Sequence, residues 1–368
     1  MERYKSSRNK IKILYVISIS ALNSPSTRVR AEIFKNSFKY DKEYSATYFY
    51  LYSTILDKII FKFKKNRFTK YFSLPFVFFN FLIKKIKILW LFATLNNYSG
   101  IIIVKYFDLK ILTKIKSIFR GKILFDFDDA IWLDNFGGLD PFIDLVTKVD
   151  YVSCDNTYLL DKSKNYCNKT FIVNGPAQVN YNTSKHSNKS KIIIGWIGSQ
   201  YTLFYLNLIV DVIEELSLLY NNIEFRICGI GRNYDKLPKF RNIKFSTLAY
   251  YDNKTMIKEI SNFDIGVYPI DESELSLGRG SLKATLYMSC GIPVVASAIG
   301  HNCNIIKNGF NGFLANSKNE WFESLNNLIL NEHLRKNIGK NGFNFVRNEY
   351  SIENCYSQLR NNFLIDIK

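Results

Sequence analysis

Short apolar runs recur along this chain, each closed by a polar or glycine-bearing turn. Ile11–Ser18 is the first, and it reads as a buried parallel strand. A Ser/Pro/Thr/Arg loop, Asn23–Arg30, follows it, and a helix is predicted from about Ala31. Ile101–Lys105 and Lys122–Phe127 are further strands; Tyr151–Ser153 and Thr170–Val173 are short ones. Tyr181–Ser190 has no apolar periodicity and reads as a linker. The pattern then restarts. Strands are predicted at Lys191–Ile197, Ile223–Cys228, Ile243–Ser246, Asp264–Pro269 and Pro293–Ala296. Helices are predicted at Leu203–Tyr220, Lys254–Ser261, Leu282–Ser289, Glu320–Leu330 and Glu332–Glu349. Strands alternating with helices predict an α/β protein of doubly wound, parallel sheets. The expected division is a domain over 1–180, a linker over 181–190, a second domain over 191–351, and a C-terminal helical segment over 352–368 able to pack on either domain.

A length of 368 residues suits two domains, and 47% hydrophobic residues supply two cores. The net charge of +18 is unevenly placed. Residues 1–120 carry 24 Lys and Arg against 6 Asp and Glu, and the rest of the chain carries 26 of each sign. A basic first third suits a phosphate-rich partner. Nucleic acid is not the expected one, because no aromatic–basic motif or recognition module is visible. Ile55–Leu95 mixes apolar residues with many lysines. Lys84, Lys85 and Lys87 interrupt its longest apolar stretch, which argues against a spanning helix. It is either a basic amphipathic surface lying on anionic lipid or an ordinary helix pair with solvated lysines. The six cysteines lack any C-x-x-C spacing and read as reduced thiols in a cytosolic setting. Ile11–Ile19 is too short and too soon followed by polar sequence to read as a secretory leader.

The most specific chemistry lies in residues 264–300. A buried strand ends at Pro269, an acidic loop follows, and Gly278-Arg279-Gly280-Ser281 leads into a helix. The glycines permit close backbone approach, and a helix N-terminus offers N–H groups and positive dipole. Arg279 and Lys283 stand one turn apart and form a candidate cradle for a diphosphate. The alternative is an ordinary β-loop-α-β unit with a solvated Arg and Lys.

Tyr287-Met288-x-x-Gly291-x-Pro293-Val294-Val295-Ala296-Ser297, Gly300, and Asn308-Gly309-Phe-Asn-Gly312 together resemble the donor half of GT-B glycosyltransferases of family 4, the group 1 type. Ile194-Gly195-Trp196-Ile-Gly198-Ser199 and Phe225-Arg-Ile-Cys228-Gly229-x-Gly231 match strand ends of the same half. The likeness covers about 191–355 well and 1–180 less well. It implies two facing Rossmann-like domains with a nucleotide-sugar donor in the second and an acceptor in the first. It further implies retention of configuration and no cofactor or metal, and leaves room for the C-terminal helix to cross back. Two departures stand out. The paired glutamates of the family are replaced by Gly278 and Leu286, and the Arg and Lys of its first donor loop by Trp196 and Tyr201. Arg279 and Lys283 are therefore expected to take over the phosphate grip.

Other candidates follow from position. Gly198 and Ser199 could add a hydroxyl and backbone N–H groups to the diphosphate site, with helix capping the plainer role of Ser199. Gly229 and the turn near Leu248–Ala249 would flank the nucleoside. Gly280 and Ser281 belong to the cradle. Asp271, in the acidic loop, could bind sugar or ribose hydroxyls. Of the three histidines, only His301 falls at a donor-facing loop.

In the first domain Asp128 and Asp129 end a buried strand, where ligands of open α/β sheets bind. They are candidates to orient the acceptor hydroxyl or take its proton. A helix cap with an ion pair to Arg28 or Arg30, or a D-x-D metal site through Asp126, are the competing readings. Arg28 and Arg30 could bind an acceptor phosphate, or could be a basic first helical turn.

The expected activity is metal-independent glycosyl transfer from a nucleotide-diphosphate sugar to a saccharide, lipid-linked, for a bacterial surface polysaccharide. The expected location is the cytoplasmic face of the membrane, as a peripheral protein on anionic lipid. A nucleotide-sugar epimerase and a non-catalytic anion- or nucleic-acid-binding protein are the alternatives. The sequence sets no oligomeric state.

Overall fold

The computed structural model describes residues 10–18, 25–52, 74–133, 137–177, 191–229, 237–241, 245–248 and 253–368. The chain divides into two compact units, Met1–Pro176 with Ile352–Lys368, and Ala177–Ser351. The linker expected at 181–190 lies outside the described residues, as do Gly231 and Ala249.

The first unit is a six-stranded sheet in the order β2-β1-β3-β4-β5-β6. Its strands are β1 (Ile11–Ile17), β2 (Tyr44–Tyr50), β3 (Gly100–Val104), β4 (Lys122–Phe127), β5 (Tyr151–Cys154) and β6 (Thr170–Ile172). Every pairing is parallel. Both faces of such a sheet are covered, so its strands are apolar throughout rather than alternating. Leu14, Val16, Ile101, Ile103, Ile123 and Phe125 pack into one core layer. Ile13, Tyr15, Ile17, Ile102, Val104 and Leu124 face the other. Each strand thus divides its side chains between two cores at a period of two. The helix expected from Ala31 begins earlier, at Pro25, and Pro25–Arg30 is helical. Proline's fixed φ suits the first helical position, where its missing N–H costs nothing.

The last segment packs on this first unit. The helix Ile352–Leu359 continues through Arg360–Leu364, and its Cys355, Tyr356, Leu359, Phe363 and Leu364 complete the core layer around Ile13 and Tyr15. The Tyr356 hydroxyl donates to Asp41 Oδ2 at 2.9 Å, and Arg360 pairs with Glu43.

The second unit has the order β12-β11-β10-β7-β8-β9. Its strands are β7 (Ile192–Ile197), β8 (Ile223–Cys228), β9 (Phe245–Leu248), β10 (Ile265–Tyr268), β11 (Val294–Ser297) and β12 (Phe313–Ala315), again all parallel. Counted within the unit this is the doubly wound order with its switch point between β7 and β10. The helix predicted at Leu203–Tyr220 is two elements, a 3-10 turn Gln200–Leu208 and a helix Val210–Leu219. The helix Leu282–Ser289 ends with Gly291 at φ 71°, Gly291 N–H bonding Met288 O and Ile292 N–H bonding Tyr287 O. This is a Schellman stop, and it explains the Gly-x-Pro spacing that turns the chain into β11.

The helix Leu74–Thr94 departs from the reading of an ordinary helix with solvated lysines. Its lysines at 84 and 87 face the protein rather than water. Lys84 donates to the Tyr52 hydroxyl at 2.9 Å, and Lys87 donates to the Tyr50 carbonyl at 2.7 Å. No described helix is long and apolar enough to cross a membrane. All six cysteines are free thiols, five buried and Cys303 exposed.

Candidate functional site

In the second unit the sequence candidates gather at the switch point. Trp196, Gly198 and Ser199 come off the end of β7, Tyr268 and Asp271 off the end of β10, and Arg279 and Lys283 from the loop and helix that follow. The Lys283 ammonium lies 4.6 Å from the centre of the Trp196 ring and 5.3 Å from that of Tyr268. Among the described residues its hydrogen bond goes to Thr202 Oγ1 at 3.3 Å. The Arg279 guanidinium lies 5.7 Å from the Tyr205 ring centre. Neither cation pairs with a described carboxylate. The Arg279 Nε and the Trp196 indole Nε1 are buried without a hydrogen-bond partner among the described residues. Burial, reinforced by the nearby Arg279 charge, pushes the Lys283 amine down to about 7. Two unneutralised cations with spare donors form a site suited to an anion.

The surrounding candidates divide between ligand-facing and supporting roles. Gly198 makes room for the Trp196 ring: a Cβ there would meet Trp196 Cη2 at 2.3 Å and Thr202 Oγ1 at 2.8 Å. Gly198→Ala is expected to displace the aromatic seat of Lys283 and to cost on the order of 1–3 kcal/mol. A thermal unfolding curve compared with the parent's checks this. The Ser199 N–H donates to Thr202 Oγ1 at 3.3 Å, so Ser199 heads the turn that carries Thr202. Ser281 donates its hydroxyl to Asn302 Oδ1 at 2.7 Å, and Asn302 donates to the Ser297 carbonyl at 3.0 Å. Ser281 is thereby a strut for the loop after β11, next to Gly280.

Asp271 organises the turn before Arg279. Its Oδ1 accepts from Ser273 and from Ser276, and Ser276 also meets the Tyr205 hydroxyl at 2.9 Å. Burial opposes ionisation of Asp271, but those hydrogen bonds and the Arg279 charge hold it below its usual value. Gly229 ends β8 at φ 94°. His301 Nε2 lies 3.1 Å from the Tyr350 hydroxyl, while Nδ1 is buried without a hydrogen-bond partner among the described residues. Burial lowers its ring to about 4, so it is neutral near pH 7.

The first unit assembles a different site at the ends of β1, β3, β4 and β5. Lys105 closes β3 at φ 63°, the one described non-glycine residue with positive φ. It pairs with Asp129, lies 3.5 Å from Asp128 Oδ1, and bonds Ser26 Oγ at 3.0 Å. Burial works against its charge, but Asp128 and Asp129 hold the ammonium above its ordinary range. Lys105 is thus a partner of both Asp128 and Asp129, which the sequence reading did not include. Arg30 is 2% exposed and its guanidinium is already occupied, by Asp126 at 2.5 and 2.9 Å and by the Val173 carbonyl at 2.5 Å. Three of its five N–H donors are thus engaged within the first unit. Arg28 is partly buried on the same short helix. Asp126 also accepts from Ser153, so its oxygens are engaged and do not suit a D-x-D metal pair. Among the described residues, no group of three or more His, Cys, Asp or Glu could hold a metal ion.

Asp155, after β5, had no place in the sequence reading. Burial, resisted by Arg30 and reinforced by Asp128, Asp129 and Asp126, lifts its carboxyl well above the usual range. The first-unit site therefore combines a lysine-bridged carboxylate pair with a neighbouring buried carboxyl whose ionisation is disfavoured.

Two parallel, doubly wound units with a C-terminal segment returning to the first define the GT-B class of glycosyltransferases. HepE of Anabaena, in a crystal complex with UDP, matches this fold with a TM-score of 0.68 at 13% identity, over 96% of this chain and 100% of HepE. TarM of S. aureus, in a complex with fondaparinux, alpha-GlcNAc-glycerol and UDP, matches with a TM-score of 0.60 at 19% identity, over 75% of this chain and 58% of TarM. Residues 181–345 match the family described as glycosyl transferases group 1. An uncharacterized glycosyltransferase of Methanocaldococcus jannaschii is 26% identical over 241 residues, 63% of this chain and 64% of the relative. A second one from the same organism is 26% identical over 176 residues, 45% of this chain. The chain thus spans less than two thirds of these relatives' own length.

Proposed function

We propose that the protein transfers a glycosyl group from a nucleoside-diphosphate sugar to a saccharide hydroxyl. The carrying observation is the pair Arg279 and Lys283, two cations without an anion at the switch point of the group 1 unit. Breaking the sugar–phosphate bond leaves negative charge on the diphosphate. Arg279, Lys283 and the first-turn N–H groups of Leu282–Ser289 are placed to neutralise it without a metal. UDP is the first nucleotide to test, since HepE and TarM are described in complexes with it. Retention of donor configuration is part of the proposal and rests on the family likeness.

The acceptor is assigned to the first unit, where Lys105 with Asp128 and Asp129 would orient a hydroxyl and take up its proton. The basic first third suits an acceptor on a lipid diphosphate, and so a bacterial surface polysaccharide made at the inner membrane face.

A thermal-shift panel of UDP, GDP, ADP and CMP sugars tests the donor reading. One nucleotide class at about a hundred times its Kd should raise the midpoint by several degrees, the shift that roughly 2.7 kcal/mol of linkage gives. The shift and the subsequent turnover should survive EDTA. No shift with any class, from protein that unfolds cooperatively, would end the proposal. Turnover of the shifted donor without acceptor would instead mark an epimerase.

A further inference from the structure

We propose that the outward face of the helix Leu74–Thr94 inserts shallowly into an anionic lipid bilayer, the helix lying along the surface. The helix is apolar on its outward side as well as its inward one. A surface helix of a water-soluble protein turns its apolar stripe to the core and its charges outward. Here the inward side packs Leu91, Ile88 and Phe92 on the core, with Asn80 buried and Lys84 and Lys87 anchored to Tyr52 and Tyr50. The outward side carries Phe78, Phe79, Leu82, Ile86, Leu89 and Trp90, between 37% and 69% exposed. These positions recur at three- and four-residue spacing and make one continuous apolar strip. Single exposed apolar side chains are ordinary, but a contiguous strip of this kind marks an interaction surface.

Charge selects the occupant. Lys85 is the one charge on the outward face, and its stem follows the Phe81 ring, with the ammonium 4.7 Å from the ring centre. A lysine so placed can keep its head at phosphate level while its stem and neighbours enter the acyl boundary. The sequence just before the helix, residues 58–70, holds Lys58, Lys62, Lys64, Lys65, Arg67 and Lys70 and no acidic residue. A second copy of this chain carries the same basic first third. An anionic lipid surface complements it, at a gain that adds with each basic residue near the headgroups. The lysine anchors to Tyr50 and Tyr52 tie the helix along the protein, which fits a helix in the interface plane and not one that spans. The apolar strip extends the membrane reading of the acceptor, but insertion itself does not depend on the transfer chemistry.

The chain carries its own reporter. Of its four tryptophans, Trp132, Trp196 and Trp321 are buried, and Trp90, stacked on Phe49 with its ring centre 5.2 Å away, is 47% exposed at the edge of this strip. The experiment uses the full chain with vesicles of phosphatidylcholine and phosphatidylglycerol. The protein should float with the vesicles, its tryptophan emission should shift to the blue, and dibrominated phosphatidylcholine should quench it. Part of the binding should persist in about 0.5 M salt, where the Debye length is only a few ångströms. The Phe79→Ser/Ile86→Ser/Leu89→Ser variant should bind at least tenfold more weakly with an unchanged unfolding midpoint. Trp90→Phe should remove the quenching and leave flotation intact. Flotation without quenching, lost entirely in salt, would reduce the contact to electrostatic adsorption and overturn insertion. Equal binding to pure phosphatidylcholine would overturn the anionic requirement. A vesicle-free dimer abolished by the triple variant would assign the strip to a second copy. The nucleotide thermal shift, measured on the same variants, should not move, so failure here is distinguishable from failure of the donor reading.

Discussion

Replacing Lys283 by methionine is expected to give a protein at least as stable as the parent and nearly blind to a nucleoside diphosphate. In the empty site the Lys283 amine is lowered to about 7, first by burial and then by Arg279. The folded state therefore binds fewer protons than the unfolded state between about pH 7 and the ordinary lysine value. Stability then rises with pH across that window, and the cost of charging Lys283 is fully present below it. Each pKa unit corresponds to about 1.4 kcal/mol, and side-chain relaxation trims the total, so methionine should stabilise by on the order of 1–2 kcal/mol near pH 6. Binding runs the other way. A diphosphate favours the charged amine, so the complex takes up a proton. Above pH 7 the apparent Kd for the nucleotide should rise by up to about tenfold per unit. Lys283→Arg, whose guanidinium stays charged, should flatten that profile. Calorimetric titration in two buffers of different ionisation enthalpy reads the proton uptake directly. A pH-independent Kd with no proton uptake would remove Lys283 from the grip. The double variant with Arg279→Ala should lose on the order of a hundredfold in donor affinity or turnover, as expected when charge-stabilising donors are removed.

The second large effect concerns stability alone. Arg30→Met leaves Asp126 buried at 5% exposure without its bidentate partner. Removing one member of such a pair typically costs about 3–5 kcal/mol, because the orphaned charge stays out of water. The loss should appear in the unfolding transition of the first unit and in hydrogen exchange of β1 and β4. The double variant Arg30→Met/Asp126→Leu should recover a large part of it, since neither charge then remains. If the single variant lost less than about 1 kcal/mol, the pair would not be the brace that the geometry describes.

The cores of both sheets were legible because parallel strands are apolar on both faces and announce themselves as runs. β2 was not, because Tyr44–Tyr50 lies at the sheet edge and mixes Ser, Thr and Tyr. The cationic cradle was legible from Gly278 to Lys283, where close sequence neighbours form the site. The aromatic seat of Lys283 was not, since Trp196 lies on β7 and Tyr268 on β10, which only the sheet brings together. The same holds for Arg30 and Asp126, 96 residues apart. One signal could have found Asp126: a single carboxylate inside the apolar run LFDF must have a buried partner somewhere. Likewise Lys105 is the lone charge closing the run IIIVK. For Leu74–Thr94 the composition was plain, but which side faces outward is set by Tyr50 and Tyr52 and not by the helix itself.

The return of residues 352–368 to the first unit has a consequence for synthesis on the ribosome. The layer around Ile13 and Tyr15 lacks Tyr356, Leu359 and Phe363 until the intervening unit has been translated. The usual order, in which the earlier-made domain closes first, is thus reversed in part. The later unit can finish while the earlier one waits with an uncovered apolar face. A nascent chain stalled just after Ser351 should be a better chaperone client than one stalled after Lys368, although it is shorter by only one helical segment.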